Sequence, residues 1–199
     1  MAVNKIKRKK IPVFIIIVVV LITALLLVTI KTAREYFERQ WLLSTHPLEY
    51  TEIAEKYALE YEIDKYLIYA VIKTESNFDE SAVSNLGARG LMQIMDYTFE
   101  WIRDFRFFDD EIVFDDMFKP DENIRYGSHL LAYHLKFYGD IDCALAAYHA
   151  GDGNVDEWLL DERYSADGKT LDSIPISDTA HYVNKVNKAY ETYIMLYNS

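Results

Sequence analysis

Cysteine, proline and glycine are scarce in this chain of 199 residues, which holds one Cys, four Pro and seven Gly. A lone cysteine, Cys143, cannot form a disulfide within the chain, so a disulfide framework is excluded. Hydrophobic residues make up 51% of the sequence, which excludes a chain that is disordered overall. The length suits one domain with an appendage. Cys143 lies in an apolar segment, where we expect it to be buried and inert.

Acidic residues are missing from the first 30 positions, so the net charge of -11 is unevenly distributed. Residues 1–10 contain five Lys and Arg, residues 11–30 contain no charge, and the remainder carries 16 basic against 32 acidic residues. Phosphate binding requires clustered Lys and Arg. The acidic remainder therefore argues against nucleic acid as a partner.

Residues 11–30 are apolar apart from two threonines and a proline. Twenty helical residues span about 30 Å, the thickness of a bilayer's hydrocarbon core, so a transmembrane helix is predicted. A cleaved signal peptide would have a shorter apolar core followed by small residues, which favours an uncleaved signal-anchor here. The basic tail over 1–10 is then expected to stay in the cytoplasm, with residues 31–199 outside.

Beyond the membrane segment, apolar residues recur at helical spacings and no stretch alternates as a long strand, so a mainly α domain is predicted. We expect a juxtamembrane stalk over 31–47 and a compact domain over 48–199 that is large enough for its own core. A structured loop is predicted over 76–90, whereas residues 104–118 stay unassigned. The predicted helices cover 50–61, 64–74, 120–138, 141–149, 154–160 and 178–197, with a partly helical segment over 91–102.

Glu75 continues the apolar face of its predicted helix, because it follows Ile68, Val71 and Ile72 by seven, four and three residues. A carboxyl group held against apolar surface is costly to ionise, so its pKa should rise. Such a group can act as a general acid at neutral pH. The alternative from periodicity alone is a helix-terminal glutamate with its carboxylate in water.

Five short segments carry distinctive residue combinations in a fixed order. They are Glu75-Ser76; Ala82 through Gln93; Glu122-Asn123-Ile124 with Gly127; Ala146 to Gly151, followed by Asn154-Val155; and Asp178-Thr179 with Tyr182-Val183. Together they resemble the motifs of the lytic transglycosylase family with a goose-lysozyme-like domain, and the resemblance covers about residues 50–197. It implies a lysozyme-like, mainly α catalytic domain over 48–199.

The resemblance also implies an activity. The family cleaves the β-1,4 bond between N-acetylmuramic acid and N-acetylglucosamine in peptidoglycan, leaves a 1,6-anhydromuramic product and uses one glutamate as acid and then base. By this resemblance Glu75 is the catalytic residue and the partner is the glycan strand of peptidoglycan. The enzyme would be anchored in the cell membrane through residues 11–30, with the catalytic domain on the periplasmic or cell-wall side, and would serve cell-wall remodelling.

Other site residues follow from the same resemblance. Ser84, Gln93 and Met95 match positions that line sugar subsites. Tyr148 matches a tyrosine close to the catalytic carboxyl, and Tyr182 matches a late tyrosine that closes the cleft. The alternative for both tyrosines is core packing, which a chain with 16 Tyr makes plausible.

Three positions depart from the family pattern. His149 stands where the family has Asn, which puts the hydrogen bond of that side chain in doubt, although a structurally satisfied histidine is the expectation. Asp178 replaces Glu, which shortens a carboxylate by one methylene group. Asp96 stands in place of Pro. None of these departures removes Glu75.

No metal or cofactor is predicted. His129 and His134 are five residues apart, which is not the usual same-face spacing, and no HExxH motif occurs. The acidic residues over 109–116 lack the EF-hand pattern and are expected to form a solvated loop.

Two alternative functions stay open at the level of sequence. A hydrolytic muramidase on the same fold would need a second carboxylate to activate water, for which Asp79, Asp96 and the acids over 104–116 are candidates. A wall-binding or assembly module with little activity would use the cleft only to hold glycan. Recruitment of envelope machinery, unidentified from the sequence, is compatible with all three interpretations.

Overall fold

The computed structural model describes residues 12–108 and 111–198. It divides into two compact units, one ending at Thr45 and the other beginning at His46. The basic tail predicted over 1–10 lies outside the described residues, as does the first residue of the predicted span.

The first unit is one helix, α1 (Val13–Thr45), which continues without interruption from the predicted span into the predicted stalk and ends two residues before the predicted end of the stalk at residue 47. The large apolar side chains between residues 14 and 30 are exposed, except for the half-buried Val18. The hydroxyls of Thr23 and Thr29 donate to the carbonyl oxygens of Val20 and Leu26, at 2.9 Å in both cases, so their polarity is satisfied inside the helix. By length and composition, α1 could cross a membrane, and it is the one such helix among the described residues.

The second unit is mainly α, as predicted, and its described residues contain no regular strand. Its α-helices are α2 (Thr51–Tyr61), α3 (Lys65–Glu75), α4 (Asp96–Ile102), α5 (Pro120–Tyr138), α6 (Ile141–Ala150), α7 (Asp152–Leu159) and α8 (Ser177–Tyr197).

Local signals in the sequence account for where these helices begin and end. The Asp64 carboxylate accepts a hydrogen bond from the Tyr66 backbone N–H at 2.8 Å, which caps α3. Asp140 caps α6 in the same way. Helix α5 begins with Pro120 at its first position and ends at Gly139, whose φ of 67° is left-handed.

The core of the second unit forms around α3, whose residues 66–72 are all buried. Helix α3 packs against α8, and α6 contacts α5, α7 and α8. Cys143 on α6 is buried, as predicted, and burial raises the pKa of its thiol to about 12. This packing places the C-terminal end of α3, and hence Glu75, where the long loop that follows it meets α6 and α8.

The sequence predicted the least detail between α3 and α5. The segment predicted as partly helical over 91–102 becomes helical only at Asp96, because Gln93 adopts a left-handed φ of 51° that ends any regular helix before it. The unassigned segment contains a π-helical turn, Arg103–Phe107, and a 3₁₀ turn, Phe114–Phe118. The loop over 76–95 is held by two isolated bridges, Val83 with Arg89 and Arg89 with Ile94.

Candidate active site

Glu75 is the last residue of α3, and the following residue fixes how the chain leaves the helix. The Ser76 hydroxyl donates to the Leu91 carbonyl oxygen at 2.8 Å and lies 3.3 Å from that of Ile72. One side chain therefore ties the end of α3 to the loop that carries the 82–93 motif. The serine of the Glu-Ser pair therefore sets the position of the loop relative to the residue that carries the carboxyl group.

Glu75 is half-buried, and protein atoms surround most of its carboxyl group. Burial raises its pKa from 4.5 to about 7. The Tyr182 hydroxyl and the positive charge of Lys185 oppose this rise. A carboxyl with a pKa near 7 is populated in both protonation states at neutral pH, which is what a group acting as acid and then base requires.

Five of the six predicted site residues line one cleft of about 400 Å³. They are Glu75, Ser84, Gln93, Met95 and Tyr148. The same cleft is also lined by residues that the sequence interpretation missed, among them Asn85, Leu86, Tyr97, Thr98 and Leu130. Tyr97 and Thr98 lie in the first turn of α4, and only the tertiary structure shows that they line the same cleft as Glu75.

Tyr148 and Tyr182 flank the carboxyl in different ways. The Tyr148 hydroxyl donates to the Met92 carbonyl oxygen at 2.8 Å, so this ring is fixed against the loop. The Tyr182 hydroxyl is buried beside Glu75 and has no hydrogen-bond partner of ordinary geometry among the described residues, although it is close enough to interact with that carboxyl. Burial, followed by the charge of Glu75, raises the pKa of both phenols well above the usual value, so both stay protonated.

Ser84 and Gln93 shape the loop wall of the cleft. The Ser84 oxygen accepts from the backbone N–H groups of Leu86 and Ala88, at 3.3 and 3.0 Å. The Gln93 amide nitrogen donates to the carbonyl oxygens of Ala82 and Gly90, at 3.2 and 2.9 Å. Both side chains thus hold the loop, while the Gln93 amide oxygen and the Ser84 hydroxyl proton stay available to a ligand.

Asn123, on α5, is fully buried and forms hydrogen bonds with the same loop. Its amide oxygen accepts from the Met92 N–H at 2.7 Å, and its amide nitrogen donates to the carbonyl oxygens of Arg89 and Met117, at 2.8 and 2.7 Å. A Cβ atom on Gly90 would lie 2.4 Å from the Asn123 amide nitrogen, and Gly90 has a left-handed φ of 73°. The loop therefore needs glycine at this position for both space and conformation.

The first two departures from the family pattern lie together at the site. His149 lines the cleft, its Nδ1 lies 3.1 Å from the Thr179 hydroxyl, and its ring packs on Tyr182 with 4.5 Å between centroids. Burial lowers the pKa of His149, and the charge of Asp178 opposes that effect. His149 is thus held by a neighbour, as expected for a structural histidine. The third departure, Asp96, is exposed at the start of α4.

The cleft continues past Tyr148 into an adjoining cavity of about 310 Å³, since Tyr97, Thr98, Leu130 and Tyr148 line both. The far end is lined mainly by the aromatic rings of Trp101, Tyr133 and His134. Asp152 is the charged residue that lines it. Mostly apolar walls with a small number of polar groups are typical of sites for small organic ligands.

No group of three or more His, Cys, Asp or Glu side chains is arranged to hold a metal ion within residues 12–108 and 111–198. Around Glu75 the cleft offers a carboxyl group for proton transfer, together with neutral hydroxyl and amide groups for hydrogen bonding.

Similar proteins carry the same domain. The soluble lytic murein transglycosylase of Salmonella typhimurium is 32% identical over 149 residues, which cover 74% of this chain and 23% of that protein. The membrane-bound lytic murein transglycosylase C of Serratia proteamaculans is 29% identical over 174 residues, covering 73% of this chain and 46% of that protein. The crystal structure of the 70 kDa soluble lytic transglycosylase of Escherichia coli matches with a TM-score of 0.69 and 27% identity, over 77% of this chain and 25% of that one.

The chain spans less than half the length of these relatives. The family model for the Transglycosylase SLT domain matches residues 52–171. This range includes the predicted catalytic glutamate and the residues that line the cleft around it. The matched region makes up more than half of the chain, and the mainly helical fold agrees with that of the solved relatives. This protein therefore belongs to the Transglycosylase SLT domain family.

Proposed function

We propose that this protein is a lytic transglycosylase that cleaves the β-1,4 bond between N-acetylmuramic acid and N-acetylglucosamine in peptidoglycan. The observation that carries the proposal is a single carboxyl group with a pKa of about 7, that of Glu75, set in an open cleft. Among the described residues that line this cleft, Glu75 is the only carboxylic acid, and Asp152 lies at the far end of the adjoining cavity. The names of the relatives, which include murein transglycosylases, support the same substrate.

In the proposed mechanism Glu75 carries the proton both ways. The protonated carboxyl donates its proton to the glycosidic oxygen, and the bond from that oxygen to the anomeric carbon of muramic acid breaks. The resulting carboxylate then takes the proton of the 6-hydroxyl of the same sugar while that oxygen bonds to the anomeric carbon. The product is the 1,6-anhydro sugar, no water is consumed, and Glu75 ends in its starting protonation state.

A hydrolase would require a second carboxylate to activate water across the ring from the acid. Two candidates from the sequence lie elsewhere: Asp79 is exposed and accepts hydrogen bonds from Ser81, and Asp96 is exposed at the start of α4. Neither of them lines the cleft around Glu75, and none of the described acids over 104–116 does so. This arrangement favours the transglycosylase over the muramidase and over a module that only binds glycan.

We also infer that α1 anchors the domain in the cell membrane, with residues 1–10 in the cytoplasm and residues 48–199 facing the wall. The exposed apolar surface of α1 and the basic residues before it support this orientation. One relative is named as membrane-bound, which agrees with anchoring. Confinement next to the wall would then bring the cleft to its substrate in cell-wall remodelling.

Mass spectrometry of purified peptidoglycan digested by the full-length protein in detergent tests the proposed reaction. We expect fragments that end in 1,6-anhydromuramic acid, and we expect them to be missing from a digest with Glu75→Gln. Reducing-end products that incorporate ¹⁸O from labelled water would instead identify a muramidase. Binding without any cleavage would identify a glycan-binding module.

A further inference from the structure

A second cleft, of about 540 Å³, borders Glu75 and lies between the C-terminal end of α3 and the C-terminal half of α8. Three of its lining residues are lysines, Lys73, Lys185 and Lys188. Apart from Glu75 itself, no acid lines this cleft among the described residues. We call it the basic cleft. The basic cleft therefore borders the residue that we propose performs the reaction, and one of its lysines, Lys185, interacts electrostatically with the Glu75 carboxyl group.

Apart from Glu75, no acidic side chain among the described residues lining the basic cleft offsets its positive charge. The Lys73 ammonium donates to the amide oxygen of Asn77, which is uncharged, and Lys185 and Lys188 are exposed. In the part of the chain that the structure describes, none of the three forms a salt bridge, whereas Lys56 and Lys65 each pair with a carboxylate.

A cluster of three lysines is unexpected in a domain of this acidic composition. Residues 46–199 contain 30 acidic and only 13 basic residues, so a lysine placed without constraint would meet an acid more often than another lysine. Lys73 and Lys185 are close enough to repel each other, and burial together with this repulsion lowers the pKa of Lys73. Cations that are held together at such a cost are well suited to bind an anion that a ligand brings.

We infer that the basic cleft binds a carboxylate of the peptide that branches from the muramic acid at the scissile bond. The inference rests on the proposed function, since it takes the glycosidic oxygen to lie at Glu75. The peptide is attached through the lactyl group of that same muramic acid, so it leaves the glycan within one sugar ring of the carboxyl. A cleft that borders Glu75 is therefore within reach of the first residues of the peptide.

The two clefts around Glu75 would then bind chemically different parts of the substrate. The cleft of Ser84, Gln93 and Tyr148 offers neutral hydrogen-bonding groups and rings, which suit the uncharged sugars. The basic cleft offers ammonium groups, which suit a carboxylate. A peptide that is covalently attached to the bound sugar has a high effective concentration at these lysines, an advantage that a separate anionic wall polymer lacks.

The test compares two substrates with one active site. Purified peptidoglycan free of phosphate polymers and the same glycan stripped of its peptides by an amidase are digested by the full-length protein in detergent. In the double variant Lys185→Gln/Lys188→Gln, we expect the ratio of kcat/KM on intact glycan to kcat/KM on stripped glycan to fall about fivefold or more. Lys73 is left unchanged because it is partly buried and contributes to the loop after α3.

Two further variants act as controls. Lys136→Gln/Lys169→Gln removes the same charge from exposed positions away from the basic cleft and should leave the ratio unchanged. Lys185→Arg/Lys188→Arg keeps the charge and should retain most of the preference for intact glycan. Because Lys185 also lowers the pKa of Glu75, the substrate ratio matters more than either rate: an effect through Glu75 would change both substrates equally.

If kcat/KM of Lys185→Gln/Lys188→Gln falls equally on both substrates, or does not fall on either, the ratio is unchanged. That result would overturn the inference while leaving the proposed function intact. A ratio that responds to the lysines only when phosphate polymers are left on the wall would overturn it in favour of an anionic polymer as the ligand. If the unmodified protein cleaves neither glycan, the proposed function fails first, and this inference fails with it.

Discussion

The carboxyl of Glu75 shows how one residue combines a cost in stability with a gain in chemistry. Helix α3 is otherwise an apolar core element, and Glu75 extends its buried face to the edge of the cleft. Burial there disfavours the charged form, which raises the pKa to about 7. The same desolvation that makes the group a usable acid makes its ionisation unfavourable in the folded protein.

Glu75→Gln is expected to abolish cleavage, lowering kcat/KM by a factor of about 10² to 10⁴, and to stabilise the fold at neutral pH. Because the folded pKa lies above 4.5, the unfolded chain releases the proton first, so the wild type loses stability as pH rises from about 4.5 to about 7. The loss is up to about 3 kcal/mol. Chemical denaturation of both proteins at pH 4 and pH 8 measures it.

The difference in unfolding free energy between Glu75→Gln and wild type should therefore grow from pH 4 to pH 8. Glu191→Gln, which changes an exposed glutamate on α8, is the matched control and should show no such growth. A constant difference between Glu75→Gln and wild type across this range would mean that the carboxyl is solvated in the folded protein, and the proposed acid role would lose its physical basis.

At the scale of elements, the loop over 76–95 matters more to the site than any single helix. Glu75 is carried by a helix, but three of the predicted site residues, Ser84, Gln93 and Met95, are carried by this loop. Its shape depends on hydrogen bonds made by Ser76, the first residue of the loop, and by the buried Asn123 of α5. A loop fixed in this way can hold the wall of a cleft as firmly as a strand would.

Asn123→Ala should destabilise the domain by about 3 kcal/mol, since it removes three hydrogen bonds of a buried side chain, worth about 1 kcal/mol each. It should also lower activity further than the loss of folded protein explains, because the loop wall loses its support. Thermal unfolding, combined with rates per folded molecule, separates the two effects.

The matched control is Asn184→Ala, which removes one exposed hydrogen bond to Ala180 on α8 and should cost less than about 0.5 kcal/mol. If Asn123→Ala and Asn184→Ala prove equally mild, the loop is not held from α5, and the account of the cleft wall would need another source of rigidity.

At the scale of the whole molecule, the described chain consists of a helix whose apolar residues are mostly exposed and a domain with its own core. All of the buried side chains that form the core lie between Ala54 and Leu196, within the unit that begins at His46. This arrangement is expected if lipid, rather than protein, covers the apolar part of α1.

A fragment of residues 46–199 should therefore fold without α1 and stay in the aqueous phase of a detergent phase separation, while the full-length chain enters the detergent phase. Circular dichroism of the fragment should show a helical protein with a cooperative thermal transition. Its Tm should not change with a reducing agent, because the single cysteine cannot form an internal bridge. An unfolded or aggregated fragment would mean that the domain depends on the preceding helix.

The helices were largely predictable from the sequence because their signals are local. Asp64 and Asp140 cap helices, Gly139 ends one, and the 3.6-residue spacing of apolar residues marks the buried faces. The segment over 91–95 was not predictable, because its conformation depends on Asn123, which lies about thirty residues further along the chain. Local propensity contains no information about such a partner.

The sequence by itself determined the helical class, the apolar first helix, the impossibility of an internal disulfide and, through its motifs, Glu75 as the candidate acid. Only the tertiary structure decided that five predicted site residues share one cleft and that His149 packs on Tyr182. It also placed three lysines of an acidic domain beside Glu75. The physical reason is range: caps, periodicity and composition act within a few residues, whereas burial, pKa and the pairing of charges depend on which distant segments the packing brings together.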